Sequence, residues 1–227
     1  GAELLSIDSA GGARRWELDA MPPTVFVGHR DAVERLEVSA DGDTLLSADA
    51  RGELWRWSLA HGSGDRIGEH GGRVMGLGFV RAGAGAGVGA AHVVSAGSDG
   101  DVVFWAASPA VRHAAGAAVM DLAVSADGAV VAAATEAGPI ALFAGDGAPR
   151  RVLAGHEGGT EALAIGADGA LLASGGHDRV VRVWSLVAAE RPPLELGPTD
   201  DDVRHVLFTP DGALLVAAGD DGKVRAW

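Results

Sequence analysis

Six short apolar runs, each closed by an aromatic residue, recur at intervals of about forty residues. "ARRW" ends on Trp16, "ELWRW" on Trp57, "DVVFW" on Trp105, "GPIALF" on Phe143, "VVRVW" on Trp184 and "KVRAW" on Trp227; the separations are 41, 48, 38, 41 and 43 residues. Such a period means one supersecondary unit per repeat, which must bury its apolar face on its neighbours. A second marker keeps the register. Asp41-Gly42, Asp127-Gly128, Asp168-Gly169 and Asp211-Gly212 lie sixteen and fifteen residues before a closing aromatic. Each sits between apolar runs ("LEVSADGDTLL", "LAVSADGAVV", "LAIGADGALL", "VLFTPDGALL"). Asp-Gly in that setting signals a hairpin, because Gly supplies the positive φ of a tight turn. No segment carries sustained helical periodicity, so each period is read as several short strands joined by turns. The 48-residue interval contains "RAGAGAGVGAA" (81–91), a flexible loop in place of the Asp-Gly turn. It lacks the strand–turn–helix context of a dinucleotide fingerprint.

Composition narrows the partners. The 227 residues are enough to bury a core. Lys+Arg 18 against Asp+Glu 31 gives a net charge of −13, which argues against nucleic acid or an anionic membrane surface as partner. Cysteine is absent, so no disulfide is expected. No apolar run approaches the roughly 20 residues of a membrane-spanning helix, and no signal-peptide pattern is present; a cytoplasmic location is expected. Lys223 is the only lysine, and with the heavy Ala and Gly content this points to a bacterial source. The sequence starts at Gly1 without methionine and stops on Trp227; both ends read as cuts.

Repeats of about forty residues with four strands each are the signature of a β-propeller. Along its whole length the chain resembles WD40-repeat proteins. The Gly-His pair stands at Gly28-His29 and Gly155-His156, with the variant Glu69-His70 between them. From His to closing Trp is 28 residues in two units (29 to 57, 156 to 184) and 35 in the looped one (70 to 105). The Asp that follows Trp in the family is replaced by Glu17, Ser58, Ala106 and Ser185. The resemblance implies an all-β fold, a single β-propeller domain of WD40 type over residues 1–227, with a partial or truncated ring of about six blade units. The first unit, "GAELLSIDSAGGARRW", matches the second half of the last, "GALLVAAGDDGKVRAW". The chain is therefore expected to begin at the second strand of one blade and stop after the third of another. That makes it a fragment of a longer propeller, expected to have seven blades, whose open ring another segment, chain or copy would complete.

In that family a His, a Ser or Thr, an Asp and the Trp of one blade form a hydrogen-bonded chain. The resemblance assigns this structural network to His70, Ser95, Asp99 and Trp105, and to His156, Ser174, Asp178 and Trp184. The stretch "ASGGHDRVVRVW" thus holds the residue types of a hydrolase triad without being one. Ser174 and Asp178 recur at repeat spacing, and consecutive residues rarely supply a nucleophile–base–orienter geometry. Other units are worn. The second keeps His29, Ser47 and Trp57 but has Arg51 where Asp is expected, and the last has Asp221 and Trp227 with Ala217 and no His. The first keeps Ser6 and Trp16; the fourth has lost every member, with Ala133, Ala137 and Phe143.

The resemblance also implies a rigid platform with partners on its top face, at three positions per blade. The candidate partner-binding residues are Glu34, Arg73, Met75, Met120, Glu136, Glu161, His177, Asp202, Arg204 and Asp220. The run "PTDDDVRH" (198–205) is read as an acidic loop able to receive a basic peptide. The function expected is a non-catalytic scaffold or sensor module of a larger protein that binds a protein or peptide, with no catalytic residue, cofactor or metal. "HEGGTE" (His156, Glu157, Glu161) resembles a metal cluster only by composition. Lys223 lacks the glycine frame of a P-loop, and no G-x-S-x-G elbow exists. Trp55 and Trp57 share one strand face, which suits blade-to-blade packing. Two alternatives remain: a propeller hydrolase or lyase working in the channel, for which no ionisable set of consistent spacing is found, and a purely structural spacer or assembly unit.

Overall fold

A computed structural model describes residues 3–7, 13–17, 20–80, 92–105, 110–188 and 190–227. Every regular element among them is a β-strand, and the strands form six antiparallel sheets in chain order. Blade 1 has three strands, β1 (Glu3–Ile7), β2 (Ala13–Glu17) and β3 (Ala20–Phe26). Blade 2 comprises β4 (Val33–Val38), β5 (Thr44–Asp49), β6 (Glu53–Ser58) and β7 (Gly64–Glu69). Blade 3 comprises β8 (Val74–Val80), β9 (His92–Gly97), β10 (Asp101–Phe104) and β11 (Val111–Ala114). Blade 4 follows with β12 (Val119–Val124), β13 (Val130–Thr135), β14 (Ile140–Ala144) and β15 (Pro149–Leu153). Blade 5 holds β16 (Thr160–Ile165), β17 (Leu171–Gly176), β18 (Val181–Ser185) and β19 (Leu194–Leu196). Blade 6 has three strands again, β20 (Val203–Phe208), β21 (Leu215–Gly219) and β22 (Val224–Ala226). The innermost strands β4, β8, β12, β16 and β20 stand side by side in that order. The result is an open, partial propeller. The glycine-rich loop at 81–91 and the side chain of Trp16 lie outside the described residues, and no helix among the described ones is long and apolar enough to cross a membrane.

The sequence explains where each strand sits. In β8, "VMGLGFV" alternates buried and half-buried positions, the period of a strand with two unlike faces. Strands β9 and β13 are buried at every position, because the second strand of a blade is covered on both sides. Such strands read as unbroken runs of Val, Ala and other small residues ("VVAAAT"). The cores lie between blades: Phe26 with Leu45 and Trp57, Leu54 with Val74, Phe104 with Val131 and Phe143, Ile140 with Leu172 and Trp184, Val181 with Val206 and Leu215. Trp105 of blade 3 lies so close to Gly68 of blade 2 that a Cβ there would come within 2.3 Å of the indole.

The four Asp-Gly pairs form the hairpins from first to second strand. Gly42, Gly128, Gly169 and Gly212 have φ between 67° and 75°. At the first, Asp41 Oδ1 accepts from Ser39 Oγ (2.5 Å) and Asp43 N–H (3.0 Å), which closes the turn from within.

One irregularity recurs in all five inner hairpins. The ladders skip a residue between Val33 and Arg35, Val74 and Gly76, Val119 and Asp121, Thr160 and Ala162, and Val203 and His205. The extra residues are Glu34, Met75, Met120, Glu161 and Arg204. A bulge releases its extra residue from the ladder and re-aims the side chain.

Candidate functional site

The two full networks are hydrogen-bonded end to end. In blade 5, Trp184 Nε1–H donates to Ser174 Oγ (2.8 Å), Ser174 Oγ lies 2.8 Å from His156 Nε2, and His156 Nδ1 lies 2.7 Å from Asp178 Oδ1. In blade 3 the same steps, from Trp105 through Ser95 and His70 to Asp99, measure 2.8, 2.7 and 3.0 Å. Both serines and both histidines are buried. One proton arrangement satisfies these three links: Ser accepts from the indole and donates to Nε2, and Nδ1–H donates to the carboxylate. Burial lowers the His156 pKa and outweighs the Asp178 carboxylate beside it, consistent with a neutral ring. Burial works to raise Asp178, but hydrogen bonds from Arg182 and His156 hold it below the ordinary carboxylate value. Ser174 thus has both its donor and its acceptor capacity spent on framework. The networks tie the loop entering each blade to the turn after its second strand.

Blade 2 requires a correction. Arg51 does occupy the turn position, yet the network keeps its carboxylate, because Asp49 supplies it from the end of β5. Asp49 Oδ2 lies 3.1 Å from His29 Nδ1, and Asp49 Oδ1 accepts from the N–H of Arg51 (3.0 Å) and of Glu53 (3.0 Å). His29 Nε2 lies 2.6 Å from Ser47 Oγ, which accepts from Trp57 Nε1–H at 2.8 Å. The ladder places Asp49 where blades 3 and 5 have Gly97 and Gly176. A Cβ on Gly97 would meet Asp99 Oδ1 at 2.6 Å and His70 Nδ1 at 2.7 Å. The carboxylate therefore comes from the turn with glycine in the strand, or from the strand with the turn position released. Two further residues escaped the sequence reading. Arg182 Nη1 donates to Asp178 Oδ2 (2.5 Å), and Arg225 Nη1 pairs with Asp221 Oδ2 (2.7 Å) in blade 6, where His is missing. The visible signal was an Arg two residues before Trp, in "VRVW" and "VRAW".

The candidate top-face residues fall into two groups. All five bulge residues, Glu34, Met75, Met120, Glu161 and Arg204, are among them, and each is half-buried. Arg73 donates to both carboxylate oxygens of Glu34 across blades 2 and 3 (2.9 and 2.7 Å). At blades 5 and 6, His177 stands between two carboxylates, with Nε2 2.7 Å from Glu161 Oε1 and Nδ1 2.5 Å from Asp202 Oδ2. Arg204 reaches Glu161 Oε2 at 3.3 Å and Asp220 Oδ2 at 2.8 Å. Glu136 is exposed in the turn after β13. His177 lies over Gly159, whose φ of 131° and 2.8 Å clearance to the imidazole admit no side chain. The two arginines and His177 are thus held by acidic neighbours from the adjoining blade.

The family model described as "WD domain, G-beta repeat" matches residues 147–185 and 192–227. Residues 147–185 and 192–227 are WD40 repeats. The matched stretches contain β15 of blade 4 and all of blades 5 and 6. No curated protein matches the chain. WD40 repeats generally mediate protein–protein interaction, and WD40 domains are typically non-catalytic.

Two clusters look chemical and serve the framework. Ligand atoms of His29, Asp49 and Glu53 lie within 4.8 Å of one another, but the bonds above engage both imidazole nitrogens and both Asp49 oxygens. The inner strands also correct the sequence reading, because the position after the bulge holds Arg35, Asp121 and His205 in blades 2, 4 and 6, in one shared register, with Gly76 and Ala162 in blades 3 and 5. Two of these three tie blades together. Arg35 Nε donates to the Met75 carbonyl at 3.1 Å, and Asp121 accepts from the N–H of Leu163 and of Leu122, each at 2.8 Å. Burial raises the Asp121 pKa in spite of those N–H bonds.

The His177 cluster has a pH signature. The Asp202 hydrogen bond and the Asp202 and Glu161 charges raise the imidazole pKa against its partial burial. The facing charges are Glu161 on β16, Asp202 before β20, Arg204 on β20 and Asp220 after β21. A raised folded-state value contributes stability that is fully present below about pH 6.5 and is lost as pH rises through the folded value. His177→Gln is therefore expected to lower the melting temperature most on the acid side. The gap should close as pH rises above about 6.5 and through the raised folded-state value. A gap independent of pH would show that the imidazolium contributes nothing.

Proposed function

We propose that the chain is a non-catalytic interaction module of a larger protein, a scaffold or sensor that takes a basic peptide segment of a partner protein on the top face of the propeller. The observation that carries it is the ring of bulge side chains, where Glu34, Glu161 and their neighbours Asp202 and Asp220 surround cations already paired with them. An incoming Lys or Arg finds carboxylate oxygens held in place, and Met75 and Met120 offer adaptable apolar contact between the acidic sectors. Complementary charge of this kind supplies specificity and association rate.

We place the six sheets in a longer propeller completed by another segment, chain or copy. Support comes from the three-stranded first and last sheets and from Leu207 and Val224, which the last sheet leaves 51% and 73% exposed. A bacterial cytoplasmic setting belongs to the same proposal and rests on composition alone.

The test is a titration with a fluorescent Lys/Arg-rich peptide against native protein and the Glu161→Gln/Asp202→Asn variant. The variant is expected to bind about tenfold more weakly, equivalent to about 1.4 kcal/mol, and native binding should weaken with added salt. Equal affinity for both proteins, at unchanged melting temperature, would reject the acidic top face as the binding surface.

A further inference from the structure

We infer that blade 4 carries a binding cleft for a small aromatic carboxylate, built where the Trp–Ser–His–Asp network is missing. The ladder register shows how completely it is missing. His70 and His156 each stand four residues before the first strand of their blade; the same position in blade 4 is Ala115. The Ser, Asp and Trp positions hold Ala133, Ala137 and Phe143. Two of these, Ala115 and Phe143, border a cavity of about 300 Å³ together with Thr135 and Pro139. That volume is at the lower end of the range for small-molecule sites and suits one ring with a short substituent.

The opposite wall contains a residue that packing does not require. His113 on β11 occupies the ladder position held by Gly68 in blade 2 and Leu153 in blade 4. Gly68 and Leu153 both adjoin the indole of the next blade. His113 adjoins Phe143 instead, with ring centroids 5.0 Å apart, and its Nε2 is buried without a hydrogen-bond partner. A buried polar atom of this kind is uncommon and asks for an explanation. Leucine fills the same position in blade 4 without that cost.

Charge selects the ligand class. Arg150 and Arg151 border the same cavity. Arg150 is steadied by the carbonyl of Ala129 (3.3 Å) and Arg151 by that of Ser185 (2.5 Å). Arg151 thereby turns to the blade 5 side, and the permanently charged Arg150 guanidinium, on a chain of net charge −13, marks the cleft as a local site for an anion. The ring of the ligand lies against Phe143 and Pro139, its carboxylate meets Arg150, and His113 Nε2 gains the partner it lacks.

The probes are phenylacetate and phenethylammonium, which share a ring and carry opposite charges. The readout is the imidazole NMR signal of His113. Phenylacetate is expected to shift that signal saturably at millimolar concentration, and phenethylammonium to leave it unmoved. Phe143→Trp refills the cleft with an indole and should weaken phenylacetate binding at least tenfold. His113→Phe keeps the ring and removes the nitrogen, so binding, followed by calorimetry, should fall several-fold while the melting temperature holds or rises. Arg150→Gln, at an exposed position, should weaken phenylacetate without affecting folding. No saturable shift in the native protein, equal response to both probes, or undiminished binding by Phe143→Trp would overturn the assignment. Undiminished binding by both His113→Phe and Arg150→Gln would overturn it too.

Discussion

Asp49→Gly is expected to destabilise the protein by about 2–4 kcal/mol, and adding Arg51→Asp should recover most of the loss. The single change orphans His29 Nδ1 and the N–H groups of Arg51 and Glu53, all three of which Asp49 satisfies from a 1%-exposed position. Unpaired buried donors cost about 1–3 kcal/mol each, with the larger values for partners of a charged group. The double variant converts blade 2 to the pattern of blades 3 and 5, with glycine in the strand and aspartate in the turn. The Arg51–Asp31 ion pair it gives up has an arginine 74% exposed, and exposed pairs are worth little. Chemical denaturation measures both effects. A double variant no more stable than Asp49→Gly would mean that the two positions are not alternatives.

Ser174→Ala should cost about as much, roughly 2–5 kcal/mol, because it strands two buried groups, Trp184 Nε1–H and His156 Nε2. Adding Trp184→Phe removes one orphan and should cost less than the sum of the single changes. A half-satisfied polar network is worse than an apolar one. That accounts for blade 4, where His, Ser, Asp and Trp have all been replaced together by Ala115, Ala133, Ala137 and Phe143. A loss below about 0.5 kcal/mol for Ser174→Ala, the level of an ordinary surface change, would show that the network does not hold the blade.

The strands, their turns and the two full networks were legible because they depend on spacing along one unit. The Asp-Gly pairs report local backbone conformation, and Ser95 with Asp99 keeps the same separation as Ser174 with Asp178. Asp49 breaks that spacing by two residues, so spacing alone predicts a loss in blade 2. Its sign was an aspartate where the aligned strands end on Gly97 and Gly176, which has meaning only once the side-chain direction is known. The bulges were invisible for another reason. Glu34, Met75, Met120, Glu161 and Arg204 were named from resemblance, and nothing in their letters says that the ladder skips them. The ion pairs of Arg73 with Glu34 and of Arg204 with Glu161 join residues 39 and 43 positions apart across a blade boundary. Such pairs follow from blade packing, which pattern alone does not define. The cleft is bordered by Ala115, Phe143, His113 and Arg150 from separate elements, and it appears only when those elements are assembled.

Hydrogen–deuterium exchange of the chain, with and without a Lys/Arg-rich peptide, tests the interaction surface most directly. Protection is expected in the top-face segments 31–35, 72–76, 118–121, 157–162 and 198–205, with the outer strands β7, β11, β15 and β19 unchanged. Protection confined to those outer strands, or none at saturating peptide, would contradict a top-face platform for basic partners.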